Sequence, residues 1–188
     1  MQKIVLFASG NGTNAENIIK HFKNSNQGTV VAVFANNPRA KVLEKAKRHS
    51  IDTYIFDKRQ LKSDFVLEKL NELKPNLIVL AGFLLKFPEH IITRYPNKII
   101  NIHPALLPKY GGKGMYGIHV HDAVLKNNKK ETGITIDYVN EHYAEGEFIC
   151  QKEVNIENCK NPEEIAEKVH ELEQKYFPEI IEELLSKK

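Results

Sequence analysis

The chain has 188 residues, a hydrophobic fraction of 41%, a charged fraction of 27% and a net charge of +3. Such values describe a soluble globular chain, expected to fold as one domain over residues 1–188. The 27 basic and 24 acidic side chains are interleaved rather than gathered on one face, so no nucleic-acid partner is expected.

No window approaches the roughly 20 apolar residues that cross a bilayer, so no membrane association is expected. Residues 1–10 lack the apolar core and small-residue cleavage site of a secretory signal. Cys150 and Cys159 form no CxxC pair, and the histidines stand at no metal-ligand spacing around them. A reduced, cytoplasmic protein without a metal is the expectation.

Residues 4–8, Ile-Val-Leu-Phe-Ala, predict a buried first strand. The loop that follows, Ser9-Gly10-Asn11-Gly12-Thr13-Asn14, leads into a helix over 14–23. Its glycines permit close backbone approach, and amides at a helix start cradle a phosphate or carboxylate. A plain tight turn with a Thr or Asn helix cap accounts for the same residues equally well. Gly10-x-Gly12-x-x-Ala15 also fits the loose nicotinamide fingerprint. That fingerprint wants an acid at the end of the second strand to hold ribose hydroxyls. The strand over 30–35 runs instead into Asn36-Asn37-Pro38, so a monophosphate fits better than a dinucleotide.

Helices are predicted over 39–49, 60–74 and 88–95, and strands over 53–56, 77–81 and 99–102. Repeated strand–helix–strand units imply an α/β, Rossmann-like, mostly parallel sheet with helices on both faces. A helix over 116–128 follows, then strands over 132–139 and 148–154 that suit an antiparallel C-terminal edge. Asn161-Pro162-Glu163-Glu164 reads as a capped helix start. The helix runs to about residue 186 and is expected to be interrupted or bent near Pro178.

The most informative stretch is residues 101–110, Asn-Ile-His-Pro-Ala-Leu-Leu-Pro-Lys-Tyr. A strand ending here delivers Asn101 and His103 side by side, because residues two apart point the same way. The prolines keep the loop from continuing the strand. Such a loop holds an amide and an imidazole still, as catalysis requires of the groups that touch a substrate.

The ordered set of Ser9–Asn14, Leu80-Ala81-Gly82-Phe83, residues 101–110 and Gly133-Ile134-Thr135-Ile136-Asp137-Tyr138-Val139 resembles the folate-dependent phosphoribosylglycinamide formyltransferases, over roughly residues 3–178. The resemblance implies the formyltransferase fold and transfer of a formyl group from 10-formyltetrahydrofolate to the amine of phosphoribosylglycinamide in purine synthesis. It assigns catalysis to Asn101 and His103, and the substrate phosphate to Gly12, Thr13 and Asn14. Glu173 falls where a glutamate contacts the ribose hydroxyls. Leu84, Leu85, Lys86, Phe87 and Asn101 match the folate-binding positions, the pterin strip acting largely through backbone. Many members carry an arginine where Leu85 stands.

The largest departure is Ala144, at the position of the family's catalytic aspartate. That acid pairs with the histidine and raises its pKa, which a methyl group cannot do. A designed single substitution is the favoured explanation. The others are transfer of the role to Glu141, Glu145 or Glu147, and a homologue that binds with little turnover. Ala144→Asp is expected to raise kcat and leave affinity nearly unchanged, as read by turnover and calorimetry.

The loop Gly111-Gly112-Lys113-Gly114-Met115-Tyr116-Gly117 also departs from the usual turn, and could close over ligand or be a tolerated insertion. His119 and His121 are expected to be structural or exposed. Methionyl-tRNA formyltransferases share the His-Pro-Ser/Ala-Leu-Leu-Pro loop but add an RNA-binding domain, and formyltetrahydrofolate hydrolases add a regulatory one. Neither extra domain is expected here. Small molecules are the expected partners, and the pattern sets no oligomeric state.

Overall fold

A computed structural model describes residues 1–140 and 147–187. The elements follow as β1 (Gln2–Ala8), α1 (Thr13–Phe22), β2 (Gly28–Ala35), α2 (Lys41–Arg48), β3 (Asp52–Ile55), α3 (Lys58–Lys62) and α4 (Asp64–Leu73). Then come β4 (Leu77–Leu80), α5 (Glu89–Arg94), β5 (Ile99–His103), α6 (Ile118–Lys126), β6 (Glu131–Tyr138), β7 (Phe148–Asn155) and α7 (Pro162–Ser186).

The strands form one sheet in the order β3-β2-β1-β4-β5-β6-β7. β1 to β5 pair in parallel, whereas β6 and β7 pair antiparallel at one edge. The near-continuous apolar runs of β1 and β4 are buried on both faces, as parallel central strands must be. One face carries Ile18, Val42, Val124, Val169 and Phe177 from α1, α2, α6 and α7. The other carries Leu61, Val66, Leu70 and Ile91 from α3, α4 and α5 around a cluster of phenylalanines. Phe7 stacks on Phe34 at 4.8 Å and meets Phe87 edge-on at 5.1 Å.

Two expected elements differ from the structure. The helix predicted over 60–74 is two helices that break at Ser63. Ser63 is extended and caps α4 by accepting from the Phe65 amide at 3.3 Å. Asp57 and Gln60 form a capping box that starts α3 separately. Hydrophobic periodicity alone carries no sign of this break, because both halves bury the same face.

The interruption expected at Pro178 is absent, for α7 continues through it. Phe177, Pro178, Ile181 and Leu185 are all buried there, so packing offsets the lost hydrogen bond.

The chain fills β1, β2 and β3 outward in one direction, then crosses back to place β4 on the other side of β1. The crevice between the carboxyl ends of β1 and β4 is therefore the switch point where open α/β sheets bind ligands.

Candidate active site

A cleft of about 250 Å³ opens at that switch point, lined by Gly10 to Asn14 after β1, Ala81, Gly82 and Leu84 after β4, and His170 and Glu173 of α7. Gly12 caps α1 with φ +70°. A Cβ there would lie 2.8 Å from the Val42 Cα and nearer still to its side chain, so only glycine fits. No side chain caps α1. Its first-turn amides have no intrahelical partners and lie beside the cleft, which suits an anion.

Asn14 turns towards α7. Its amide donates to Glu173 Oε2 at 3.0 Å, and its carbonyl accepts from Gln174 at 3.2 Å. His170 Nδ1 lies 3.3 Å from the same Glu173 oxygen. That contact pushes the His170 pKa up, so the imidazolium is favoured beside the cleft. Glu173 itself is held inward, its side chain 13% exposed.

The strip after β4 is tied to the first loop. Ser9 is buried, donates its amide to the Gly82 carbonyl at 3.0 Å, and accepts from the Leu84 amide at 2.9 Å on its hydroxyl. Leu84 is 60% exposed and Leu85 packs partly against the second core. The Phe87 ring is wholly buried among the phenylalanines, which leaves its side chain no ligand-facing role.

Asn101 and His103 stand two apart on β5, directly opposite Asp137 and Thr135 on β6. Opposed residues of an antiparallel pair share a face, so these four polar side chains lie together. The alternate residues Ile100, Ile102, Ile134 and Ile136 go to the first core.

Thr135 is fully buried and clamps the loop after His103. Its hydroxyl donates to Ala105 O at 2.7 Å and accepts from Leu107 N at 3.0 Å. Gln151 adds bonds at 2.9 Å to Thr135 and to the Leu107 carbonyl. The Leu107–Pro108 peptide within this loop is cis.

His103 Nε2 lies 2.8 Å from the Tyr110 carbonyl. A carbonyl only accepts, so Nε2 carries the hydrogen and Nδ1 is the basic nitrogen of the neutral ring. Burial lowers the His103 pKa, against opposing contributions from the Tyr110 carbonyl and the Glu173 charge. His103 is therefore mainly neutral at pH 7.

The Glu173 charge also reaches His121 on α6, a residue 5% exposed whose Nδ1 has no partner among the described residues. His121 is thus buried beside the site rather than exposed. Its spacing on an apolar helix face signalled burial but not this neighbourhood.

The structure brings Gly12, Thr13, Asn14 and Glu173 into one cleft with Leu84. Ala144 lies outside the described residues, as do the alternatives Glu141 and Glu145. Among the described residues no group of His, Cys, Asp and Glu is placed to hold a metal ion. Nor is any helix among them long and apolar enough to cross a membrane.

Two residues were not legible from motifs. Ser9 splices the loops after β1 and β4. Asp137 was visible only as part of a matching strand, though an acid alternating with core isoleucines, on the strand after Asn101 and His103, was a signal for it.

Residues 2–181 match the family described as formyl transferase. The chain belongs to that family. It is 34% identical to a phosphoribosylglycinamide formyltransferase of Bacillus subtilis, covering 98% of this chain and 95% of that one. It is also 34% identical to a chloroplastic phosphoribosylglycinamide formyltransferase of Arabidopsis thaliana, of which it spans 64%. The crystal structure of the Bacillus halodurans phosphoribosylglycinamide formyltransferase superposes with a TM-score of 0.89 at 34% identity, covering 99% of this chain and 96% of that one. As in those relatives, the formyl transferase fold here is an α/β sheet of mixed direction.

Proposed function

We propose that the chain transfers a formyl group from 10-formyltetrahydrofolate to the amine of phosphoribosylglycinamide, a step of purine synthesis carried out in the cytoplasm. The observation that carries this reading is the link through Glu173. Its carboxylate binds Asn14 of the anion loop at 3.0 Å and acts electrostatically on His103 at the tip of β5. The reading requires one small phosphorylated amine to span those two points.

Gly12, Thr13 and Asn14 hold the phosphate on the first-turn amides of α1, and Glu173 accepts from the ribose hydroxyls. The strip Leu84, Leu85, Lys86 and Phe87 receives the folate ring through backbone groups, with Asn101 at its inner end. The Ser9–Leu84 bond fits that use, since it fixes the strip's backbone while leaving Leu84 exposed. The folate supplies an activated formyl carbon.

Asn101 donates an amide hydrogen to the formyl oxygen as negative charge grows on it. His103 Nδ1 takes a proton from the attacking amine, and the folate nitrogen gains one as its bond to the formyl carbon breaks. The Nε2–Tyr110 bond keeps the ring from turning while Nδ1 works.

The test is a turnover assay with both substrates, followed by formylated product and deformylated folate, beside calorimetry of each. Product formation with one folate released per amine consumed supports the reading. Binding of both ligands without product makes the chain a binding homologue, and failure to bind the amine overturns the assignment. Glu173→Ala is expected to weaken amine binding roughly tenfold with little change in kcat, in line with about 1–1.5 kcal/mol for one hydrogen-bonded contact.

A further inference from the structure

We infer that Asp137 is a positioning residue of the transfer, its carboxylate fixing the Asn101 carboxamide so that an N–H rather than the carbonyl faces the formyl oxygen. The inference rests on the role proposed above for Asn101.

An asparagine amide has a donor end and an acceptor end of nearly the same shape, and oxyanion stabilisation needs the donor end. Something must therefore set which way Asn101 is turned. Asp137 is its directly opposed partner across β5 and β6, on the same face of the sheet. So placed, the Asn101 amide lowers the Asp137 pKa as a hydrogen-bond donor does. An amide nitrogen carries two hydrogens, so one bound to Asp137 leaves the other free to point into the site.

Asp137 Oδ1 is buried and has no partner among the described residues. A carboxylate with one oxygen left in that state is costly to keep. A functional role at this position would offset that cost.

The same arrangement makes the orientation pH-dependent. Burial pushes the Asp137 carboxyl up to about 6, against the Asn101 donor and its own backbone N–H. Titratable groups on the neighbouring elements include His103 on β5, Glu147 just before β7, Cys150, Lys152 and Glu153 on β7, and His170 and Glu173 on α7. None of these contributes to the shift, which burial dominates. Above pH 6 the ionised group accepts from Asn101. As pH falls through about 6 the carboxyl takes a proton, which leaves one acceptor oxygen and adds an O–H that competes for the Asn101 carbonyl. The Asn101 amide is then held in two orientations rather than one, and kcat falls.

Asp137→Leu removes the acceptor, whereas Asp137→Asn carries one acceptor and one donor end, like the protonated acid, and does not titrate. Asp137→Leu is expected to lower kcat by about 10- to 100-fold with KM for the amine unchanged. Asp137→Asn is expected to have a kcat between those of wild type and Asp137→Leu at pH 7.5 and to lose the fall near pH 6, leaving the histidine limb. Equal kcat in Asp137→Leu and wild type, or an Asp137→Asn variant as slow as Asp137→Leu, overturns the inference.

A readout independent of turnover separates this from failure of the enzymatic assignment. The Asn101 side-chain amide resonances in nitrogen-15 NMR are expected to titrate with the midpoint of the Asp137 carboxyl, and Asn101→Ala is expected to raise that midpoint. Asn101 resonances that ignore the Asp137 titration overturn the inference even if the transfer is confirmed. Coupled titration in a chain that makes no product overturns the assignment of the reaction alone.

Discussion

His103→Ala is expected to lower kcat by about 10²- to 10⁴-fold while leaving binding of the phosphoribosyl amine within a few-fold of wild type. The magnitude follows from the loss of proton transfer alone. The split between kcat and binding follows from geometry, because the anion loop and Glu173 sit on α1 and α7, not on β5. Hydrogen bonding of Nε2 to the Tyr110 carbonyl assigns the chemistry to Nδ1. A His103→Gln variant, which keeps a donor for that carbonyl but has no basic nitrogen, is therefore expected to be as slow as the alanine.

The pH dependence has a definite sign. Burial disfavours the charged ring, so the folded pKa lies below the ordinary 6.5. The neutral, proton-accepting form is then populated at pH 7 and is lost only as pH falls through the lowered value. In His103→Ala that limb of the kcat profile is expected to vanish. A profile in wild type that rises towards low pH would show instead that the imidazolium is the working form.

Asn101→Ala is expected to cost about 10²- to 10³-fold in kcat, the range for one oxyanion donor removed from a preorganised site. The donor is effective because it does not reorganise. β5 lies between β4 and β6, and Ile100 and Ile102 on either side of the asparagine are buried in the core. Truncation leaves the strand pairing intact, so thermal stability is expected to change far less than rate. A loss confined to KM would place Asn101 in folate binding rather than in catalysis.

Most of the fold was written locally. Apolar runs of β-branched residues bounded by turn signals mark β1, β2, β4 and β5, and a parallel sheet follows from their alternation with helices. The antiparallel edge was legible because only nine residues separate β6 from β7, too few for the crossover that a parallel pair needs. The break at Ser63 was not, because a cap is a question of backbone geometry that Ser and Asp pose at many positions without consequence. The continuity of α7 through Pro178 was not, because it depends on what packs beneath Phe177 and Ile181.

The site divided the same way. Asn101, His103 and the glycine loop form motifs within single segments. Asp137 gains its meaning from register across two strands, His121 from the approach of α6 and α7 to β5, and Ser9 from a bond to Leu84, 75 positions away. Such information is distributed over the chain and becomes local only on folding.

Helix α7 bears Glu173, the proposed ribose contact, and, about three turns further on, Leu185, which packs in the first core. At about 1.5 Å per residue these lie some 18 Å apart on one unbroken rod. The packing of the distal end and the aim of the carboxylate are thus coupled through one helix. A change that reseats the rod's distal end to suit a warmer habitat also re-aims the carboxylate. A lineage could tune the two separately only by severing the rod, and the buried proline at position 178 marks where a cut would begin.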